Sequence, residues 1–381
     1  MKVIDVAIIG AGGQVGSNLM AFLSENSRIR LHGICRNEVT AARLRMEGFD
    51  IKCGSISDPE VAGKFLSDCE MIVNCSASSG SPGKTQKEDR SVIRSLSQLP
   101  GKKRFIHLSS VGVYGTCISS VRNTFKQPKP DWPYGHFKLH LENYLASCLK
   151  EKKHEYVVLR MGHVYGKNQW LSRFILEKIY DPEFRLPFDG QLPSNAIHVR
   201  NISKAIEKLI LEWNQLGTFN LQDSPESTWR EVFDRHALAI EMPQVPSMND
   251  EDSGFWAQCY RRNGATPLVV RIGSEIMLWV SKVPNSIISS CPSLKTLGTL
   301  LLGRFRSEKL DRFVMSKYLK TCAKRSLTAA KPSPNAWLFS EKAPGAQFRY
   351  DGELTSADAE EITEWHTQYA KPDAILAWNS R

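Results

Sequence analysis

The sequence lacks the patterns by which cysteine stabilises small domains or binds metal. Nine cysteines are scattered through 381 residues without a Cys-x-x-Cys pair or any zinc-like spacing. We therefore expect no metal site, and we interpret the cysteines as buried thiols of a protein in a reducing, cytoplasmic compartment. His136 and His140 lie four residues apart, but no glutamate follows the first histidine, so they do not change this prediction.

Long apolar runs and compositional bias are also absent. The segment 276–305 is interrupted by lysine and proline, so it holds no stretch of the roughly 18 to 20 apolar residues that a membrane-spanning helix needs. Glycine and proline occur without a repeat, which excludes collagen-like and low-complexity chains. The apolar run Val3–Ile9 is short and ends at glycines, which predicts a buried strand rather than a signal peptide.

The positive charge is concentrated in one segment. The chain has a formal net charge of +10, and residues 261–331 contain 14 lysines and arginines against three acidic residues. Within that segment, residues 301–325 mix basic and apolar residues as a basic amphipathic helix does. Such a helix either packs one face on the fold or binds an anionic membrane surface or an acidic ligand. Nucleic acid is not an expected partner, because no recognition module accompanies the charge.

Alternating strand-like and helix-like stretches predict the fold class. Runs rich in isoleucine and valine alternate with helical patterns as far as residue 223, which predicts an α/β protein with a Rossmann-type, doubly wound parallel sheet. The predicted strands are 3–9, 29–35, 71–75, 104–108, 156–160 and 217–221. We predict a dinucleotide-binding domain over residues 1–223, with a substrate-binding insertion near 167–197. A smaller, mixed, mainly helical substrate lobe would follow over 224–381.

A glycine-rich turn follows the first strand. The stretch Gly10-Ala11-Gly12-Gly13-Gln14-Val15-Gly16 places three glycines three residues apart between a strand and a helix. The free N–H groups and the dipole of that helix favour a pyrophosphate. Arg36 stands at the end of the second strand, where an acidic residue would accept hydrogen bonds from the ribose, so it favours the 2′-phosphate of NADP. The alternative is an ordinary solvated arginine.

A serine-rich strand end precedes a tyrosine and a lysine. The strand at 104–108 leads into Ser109-Ser110-Val111-Gly112-Val113-Tyr114-Gly115, and Tyr134 and Lys138 follow at helical i, i+4 spacing. On one helix face the ammonium would stabilise a phenolate, which makes a tyrosine useful as an acid or base. Ser110 would hold the substrate oxygen. Taken alone, the Tyr-x-x-x-Lys spacing is equally typical of an ordinary amphipathic helix.

The order of these motifs resembles a known family. The glycine turn, the serine segment, Tyr-x-x-x-Lys and then Leu159-Arg160-Met161-Gly162-His163-Val164-Tyr165-Gly166 are similar to the extended short-chain dehydrogenase/reductase superfamily, specifically its NAD-dependent epimerase/dehydratase family. The resemblance covers roughly residues 3–223. It implies that Tyr134 is the general acid/base, that Lys138 binds the nicotinamide ribose and that Ser110 orients the reacting carbonyl or alcohol. It also implies a homodimer.

The resemblance further implies a cofactor site for NADP, or alternatively NAD, at the carboxyl ends of the strands. The residues expected to bind it are Gly10, Gly13, Gln14, Val15, Gly16, Arg36, Ser55, Ile56, Asn74, Ser76, Ala77, Tyr134, Lys138, Met161 and His163.

Three departures from the family pattern narrow the expected chemistry. The family's 4,6-dehydratases carry an Asp-Glu pair where Val111 and Gly112 stand, so dehydration is disfavoured. The arginine that often binds a diphosphate is replaced by Ser194, although Arg200 or the basic segment could compensate. His163 replaces the family's asparagine, and both it and His198 are as readily interpreted as structural residues.

We therefore predict an NAD(P)-dependent oxidoreductase acting on a small keto or hydroxy compound, or a sugar-like one. One alternative is a sugar or nucleotide-sugar epimerase that works through a transient ketone. A cofactor-sensing regulator without catalysis is another, but the intact Ser110, Tyr134 and Lys138 argue against it.

Overall fold

The computed structural model describes residues 2–77, 82–115, 127–130, 133–223 and 227–254. The apolar segment 276–305, the basic segment 301–325 and most of the predicted substrate lobe lie outside these ranges, so the division predicted at residue 223 stays a prediction. Among the helices of the described ranges, none is long and apolar enough to cross a membrane.

A seven-stranded parallel sheet forms the centre of the described chain. The described residues form nine strands, seven of which belong to this sheet. In chain order they are β1 (Ile4–Ile9), β2 (Ile29–Cys35), β3 (Ile51–Cys53), β4 (Met71–Asn74), β5 (Arg104–Ser110), β6 (Glu155–Met161), β7 (His163–Tyr165), β8 (Ala196–His198) and β9 (Gly217–Leu221). The order in the large sheet is β3-β2-β1-β4-β5-β6-β9, and every pairing is parallel. The predicted Rossmann-type sheet is thus confirmed.

Helices connect the strands and cover both faces of the sheet. They are α1 (Gln14–Leu23), α2 (Glu38–Met46), α3 (Pro59–Leu66), α4 (Pro82–Ser97), α5 (Pro133–Glu151), α6 (Trp170–Ile179), α7 (Val199–Glu212) and α8 (Trp229–Ala239), with two 3₁₀ turns at Val111–Tyr114 and Pro187–Gly190. Helices that join neighbouring parallel strands in this way form β-α-β crossovers.

Two hydrophobic cores lie on opposite faces of the sheet because successive side chains of a strand point in opposite directions. Val6 and Ile8 of β1 contribute to one core, together with residues of α1 and α7. Ala7 and Ile9 contribute to the other, together with residues of α3, α4 and α5. A strand buried on both faces reads as a continuous apolar run, which is why β1 was recognisable from sequence.

A two-stranded parallel ribbon, β7 with β8, lies beyond the carboxyl end of β6. Asp223 holds it in place: its Oδ1 accepts hydrogen bonds from the His198 backbone N–H at 2.9 Å and Asn201 Nδ2 at 2.8 Å, and its Oδ2 accepts one from the Tyr165 hydroxyl at 2.7 Å. The sequence analysis did not predict this ribbon.

Candidate active site

The strand order changes direction between β1 and β4, and this point defines the candidate cofactor site. The chain runs outward from β1 to β3 and then returns to place β4 on the other side of β1. In open α/β sheets, ligands bind at the carboxyl ends of the strands beside such a switch point. A cavity of about 330 Å³ lies there. Its lining includes seven of the predicted cofactor residues, Gly10, Gly13, Arg36, Ser55, Ile56, Ser76 and Ala77.

The glycine turn is so closely packed that side chains would not fit. Gly10 has a φ of +80°, and a Cβ on Gly12 would lie 2.2 Å from the Cγ2 of Thr40. A Cβ on Gly16 would lie 2.2 Å from the carbonyl oxygen of Gly10. Gly13 caps α1 without a side-chain hydrogen bond, which leaves the first N–H groups of the helix available to an anion. The turn therefore has the shape and polarity that a pyrophosphate requires.

Gln14, Val15 and Gly16 form the first turn of α1, outside the lining of the cavity. The backbone carbonyl of Gln14 accepts hydrogen bonds from Asn18 Nδ2 and from Gln169 Nε2, each at 2.8 Å. Gln169 is buried and thereby ties α1 to the segment before α6. Gln169 could not be predicted from the sequence, because its contact with Gln14 joins residues 155 positions apart.

Asn74 lies behind the cavity rather than in its wall. Its Oδ1 accepts hydrogen bonds from the backbone N–H of Ser76 at 3.1 Å and from the Ser76 hydroxyl at 2.6 Å, and its Nδ2 is 3.2 Å from His107 Nδ1. Since the two bonds from Ser76 fix the amide orientation, Nδ2 donates to the imidazole. Asn74 thus positions the loop that contains Ser76 and Ala77.

Ser110 and Tyr134 meet at Gly112, and Lys138 lies over the ring of Tyr134. A Cβ on Gly112 would lie 3.3 Å from Ser110 Oγ and 3.5 Å from Tyr134 Cδ1. The Nζ of Lys138 lies 5.9 Å from the centroid of the Tyr134 ring. Tyr134 is 55% exposed, whereas Lys138 is 6% exposed. The arrangement combines an accessible phenol with a buried ammonium and a nearby hydroxyl.

A buried histidine lies near Lys138. Burial, and next the positive charge of Lys138, lower the pKa of His107 to about 3, so its imidazole is neutral at physiological pH. Because Nδ1 accepts the hydrogen bond from Asn74, the ring proton is on Nε2. The signal for His107 was present in the sequence, as a polar residue in the apolar strand β5, but its neighbours were not predictable.

A polar network fixes α5 against the sheet. Arg160 of β6 donates from Nη2 to Glu142 Oε2 at 2.6 Å and from Nη1 to the hydroxyl of Tyr114 at 2.8 Å. Glu142 also accepts a hydrogen bond from Ser109, and the Tyr114 hydroxyl donates to Asn220 Oδ1 at 3.0 Å. These bonds link α5, the 3₁₀ turn at Val111–Tyr114 and strands β5, β6 and β9. They set the position of the helix that contains Tyr134 and Lys138.

Four predicted cofactor residues beyond β5 do not line the cavity, namely Tyr134, Lys138, Met161 and His163. Met161 packs against the hydrophobic core. The ring of His163 lies 5.4 Å from that of Trp229, centroid to centroid, and its backbone N–H donates to Asn195 O at 2.8 Å. Burial lowers the pKa of His163 to about 4. The cavity is lined by residues of the glycine turn and of the segments that follow β2, β3 and β4, together with α4, and by no residue of β6 or β7. Within the described ranges, no group of three or more His, Cys, Asp or Glu side chains could hold a metal ion.

The parallel sheet, the closely packed glycine turn and the cavity at the switch point define a dinucleotide-binding protein of the extended short-chain dehydrogenase/reductase type. Residues 6–212 match the NAD dependent epimerase/dehydratase family. Because this match spans more than half of the chain, the protein belongs to that family.

Several relatives of known identity are similar to this chain. A UDP-glucose 4-epimerase from Vibrio cholerae is 23% identical over 263 residues, which is 64% of this chain and 78% of the relative. The solved UDP-N-acetylglucosamine 4-epimerase from Bacillus cereus is 18% identical, with a TM-score of 0.54 over 65% of this chain and 85% of that one. The UDP-glucuronic acid 4-epimerase of the same organism, in complex with UDP-glucuronic acid and NAD, is 18% identical, with a TM-score of 0.52 over 67% and 93%. At these identities, likeness to the solved structures shows the shared fold.

Proposed function

We propose that the protein transfers a hydride between a nicotinamide dinucleotide and a carbon that is either a ketone or a secondary alcohol, with Tyr134 as the acid/base. The observation that supports this proposal is the placement of Ser110 and Tyr134 on either side of Gly112, after the carboxyl end of β5, with Lys138 over the Tyr134 ring. When bound, the nicotinamide supplies the hydride acceptor or donor. The chain's own residues then have to move one proton and stabilise one oxygen.

The proton moves at the Tyr134 hydroxyl. In the oxidising direction the phenolate accepts the proton of the substrate hydroxyl as the carbon loses its hydride, and in the reducing direction the phenol donates it back. The buried ammonium of Lys138 stabilises the phenolate electrostatically. Ser110 Oγ accepts a hydrogen bond from the N–H of Gly112 at 3.1 Å, which leaves its own hydrogen to donate to the substrate oxygen.

Epimerisation is the second candidate function. UDP-sugar 4-epimerases are prominent among the similar proteins, and their substrates are sugar-like alcohols. An epimerase would use the same proton and hydride transfers, but it would return the hydride to the opposite face of the transient ketone. The cofactor would then be regenerated in each turnover. The predicted exclusion of dehydration rests on Val111 and Gly112 and belongs to this proposal.

The choice of cofactor is part of the proposal. The family is NAD-dependent, and the similar structures solved with a cofactor contain NAD. The predicted preference for NADP rests on Arg36, which does line the cavity. It stays a prediction, as do the homodimer and the contact of the basic segment with a membrane or an acidic ligand.

The test measures nicotinamide absorbance with a panel of ketones, alcohols and nucleotide sugars, using the full chain and two variants. Tyr134→Phe removes the proposed acid/base. Tyr144→Phe is the matched control, because Tyr144 lies on the same helix and packs against Arg90. A net absorbance change that is lost in Tyr134→Phe and kept in Tyr144→Phe supports an oxidoreductase. Isomer formation without net absorbance change, with the same dependence on Tyr134, supports the epimerase.

Two results would contradict the proposal. One is full activity in Tyr134→Phe, which would remove Tyr134 from the chemistry. The other is a purified full chain that binds neither NAD nor NADP in calorimetry.

A further inference from the structure

Two charged side chains of opposite sign line the described cavity, and they contact each other. Arg36 follows β2, and Glu88 lies on α4. Arg36 Nη1 is 3.2 Å from Glu88 Oε2. Their side chains are 54% and 30% exposed, so a ligand in the cavity has access to both.

The Arg36–Glu88 ion pair should affect the binding of NADP and of NAD differently. The 2′-phosphate of NADP carries nearly two negative charges, and it is recognised by an arginine whose N–H groups are directed at it. An arginine held by a carboxylate must first give up that ion pair, and the carboxylate then faces the phosphate as a like charge. NAD has a neutral hydroxyl at the same position. It requires no rearrangement of Arg36 and places no charge near Glu88.

The neighbouring charges do not replace Arg36. Glu38 and Arg45 of α2 are paired at 2.5 Å, and Arg43 and Glu47 of the same helix at 2.6 Å. The N–H of Thr40 in the first turn of α2 already donates to Asn37 Oδ1. Among the described residues of the cavity wall, Arg36 is therefore the cation that a 2′-phosphate would meet, and Glu88 neutralises it.

We propose that Glu88 is a specificity-determining residue that discriminates against NADP by holding Arg36 in an ion pair across the adenosine end of the cavity. This inference rests on the proposed binding of a nicotinamide dinucleotide. It also modifies the prediction from sequence, because Arg36 favours NADP only to the extent that it is released from Glu88. Glu88 acts here as a positioning residue for Arg36.

The experiment compares the Kd values of NADP⁺ and NAD⁺ for the full chain by isothermal titration calorimetry. Glu88→Gln keeps the shape of the side chain and removes its charge. We expect the ratio of the Kd of NADP⁺ to that of NAD⁺ to fall roughly three- to fivefold, the upper part of the range expected from losing one exposed charge contact. Glu47→Gln is the control. It removes the carboxylate of another exposed ion pair, on α2, and should leave the ratio unchanged.

A double variant tests whether Glu88 acts through Arg36. In an Arg36→Gln background, adding Glu88→Gln should change the ratio by less than about twofold, because there is no guanidinium left to release. An equal fall in both backgrounds would overturn the positioning role, since Glu88 would then act on the phosphate directly. The fall in the Kd ratio caused by Glu88→Gln should also shrink in 0.5 M salt, as expected for a partly exposed charge effect.

The outcomes separate this inference from the function on which it rests. Binding of both cofactors with the same Kd ratio in the unmodified chain and in Glu88→Gln would refute the role of Glu88 and leave dinucleotide binding intact. Absence of binding in every variant and in the unmodified chain would refute the proposed function itself.

Discussion

Replacing Gly16 by alanine tests whether the close approach of α1 to the glycine turn builds the cofactor site. Gly16 is the third residue of α1, and an alanine Cβ there would lie 2.2 Å from the carbonyl oxygen of Gly10 and 2.9 Å from its carbonyl carbon. Both are backbone atoms, so no rotamer change relieves the contact. The start of the helix has to move outward by about 1 Å to reach an ordinary van der Waals distance.

The expected free-energy change follows from two opposing effects. Alanine is favoured over glycine inside a helix by roughly 0.5 to 1 kcal/mol. Overpacking against fixed atoms costs about 1 to 3 kcal/mol. We therefore expect Gly16→Ala to lower the free energy of unfolding by about 1 to 2 kcal/mol. It should also weaken cofactor binding at least tenfold, because the N–H groups of α1 move relative to the pyrophosphate.

Gly63→Ala is the matched control. Gly63 lies inside α3, and a Cβ there would have no atom within 4 Å. This substitution should raise the free energy of unfolding by about 0.5 to 1 kcal/mol and leave cofactor binding unchanged. Urea denaturation followed by circular dichroism, with calorimetric binding of NAD⁺, measures both quantities. If the two alanine variants unfold at the same urea concentration and bind NAD⁺ equally, the steric account of Gly16 is wrong.

Three further predictions concern the helix α5 and the buried histidines. A Cβ on Gly135 would lie 2.2 Å from the Gly112 carbonyl oxygen, so Gly135→Ala should displace the start of α5 from the 3₁₀ turn. We expect turnover to fall on the order of 100-fold, with a smaller loss of cofactor affinity. Equal losses of turnover and of cofactor affinity would contradict this prediction. Glu142→Gln leaves the mostly buried guanidinium of Arg160 without its compensating charge, so the free energy of unfolding measured in urea should fall by about 3 kcal/mol. A fall of less than about 0.5 kcal/mol would show that the fold does not depend on this ion pair. Burial lowers the pKa of His107 to about 3, that of His163 to about 4 and that of His198 to about 3. In the unfolded chain these histidines take up a proton near pH 6.5, whereas in the folded chain they stay neutral to much lower pH. The free energy of unfolding should therefore be at its full value above pH 6.5 and should fall by about 1.4 kcal/mol per histidine for each pH unit towards pH 4. Urea midpoints that do not change between pH 7 and pH 5 would refute this prediction.

The parts of the fold that could be predicted are those whose cause is local. Strands β2 and β9 have the predicted bounds, and β1 ends at Ile9 as predicted. Each of these elements has its own apolar pattern and its own turn residues. The three-residue strands β7 and β8 have too few residues for a pattern. They depend on hydrogen bonds to Asp223, whose position is set by the whole chain between them.

The distinction between local causes and contacts that are distant in sequence also applies to the candidate active site. The glycines of the turn could be predicted, because the need for residues without side chains falls on positions that are close together in the sequence. Glu88 was not, because its contact with Arg36 joins residues 52 positions apart, and neither residue indicates the other. The motif predicts that His163 binds the cofactor; the structure places its ring beside that of Trp229, and the predicted contact with the cofactor stays a prediction. A motif gives the order of residues along the chain, but not the direction of a side chain.

The spacing of Tyr134, Lys138 and Glu142 explains how one helix face can support proton transfer. These residues are successive i, i+4 neighbours on α5, and the first is exposed while the other two are buried. A carboxylate one turn from Lys138 would ordinarily compete with the phenolate for the ammonium. Glu142 instead has its charge compensated by Arg160 at 2.6 Å, with a further hydrogen bond from Ser109. We therefore expect the charge of Lys138 to remain available to Tyr134, so that loss of the Glu142–Arg160 pair would impair the proposed chemistry as well as the fold.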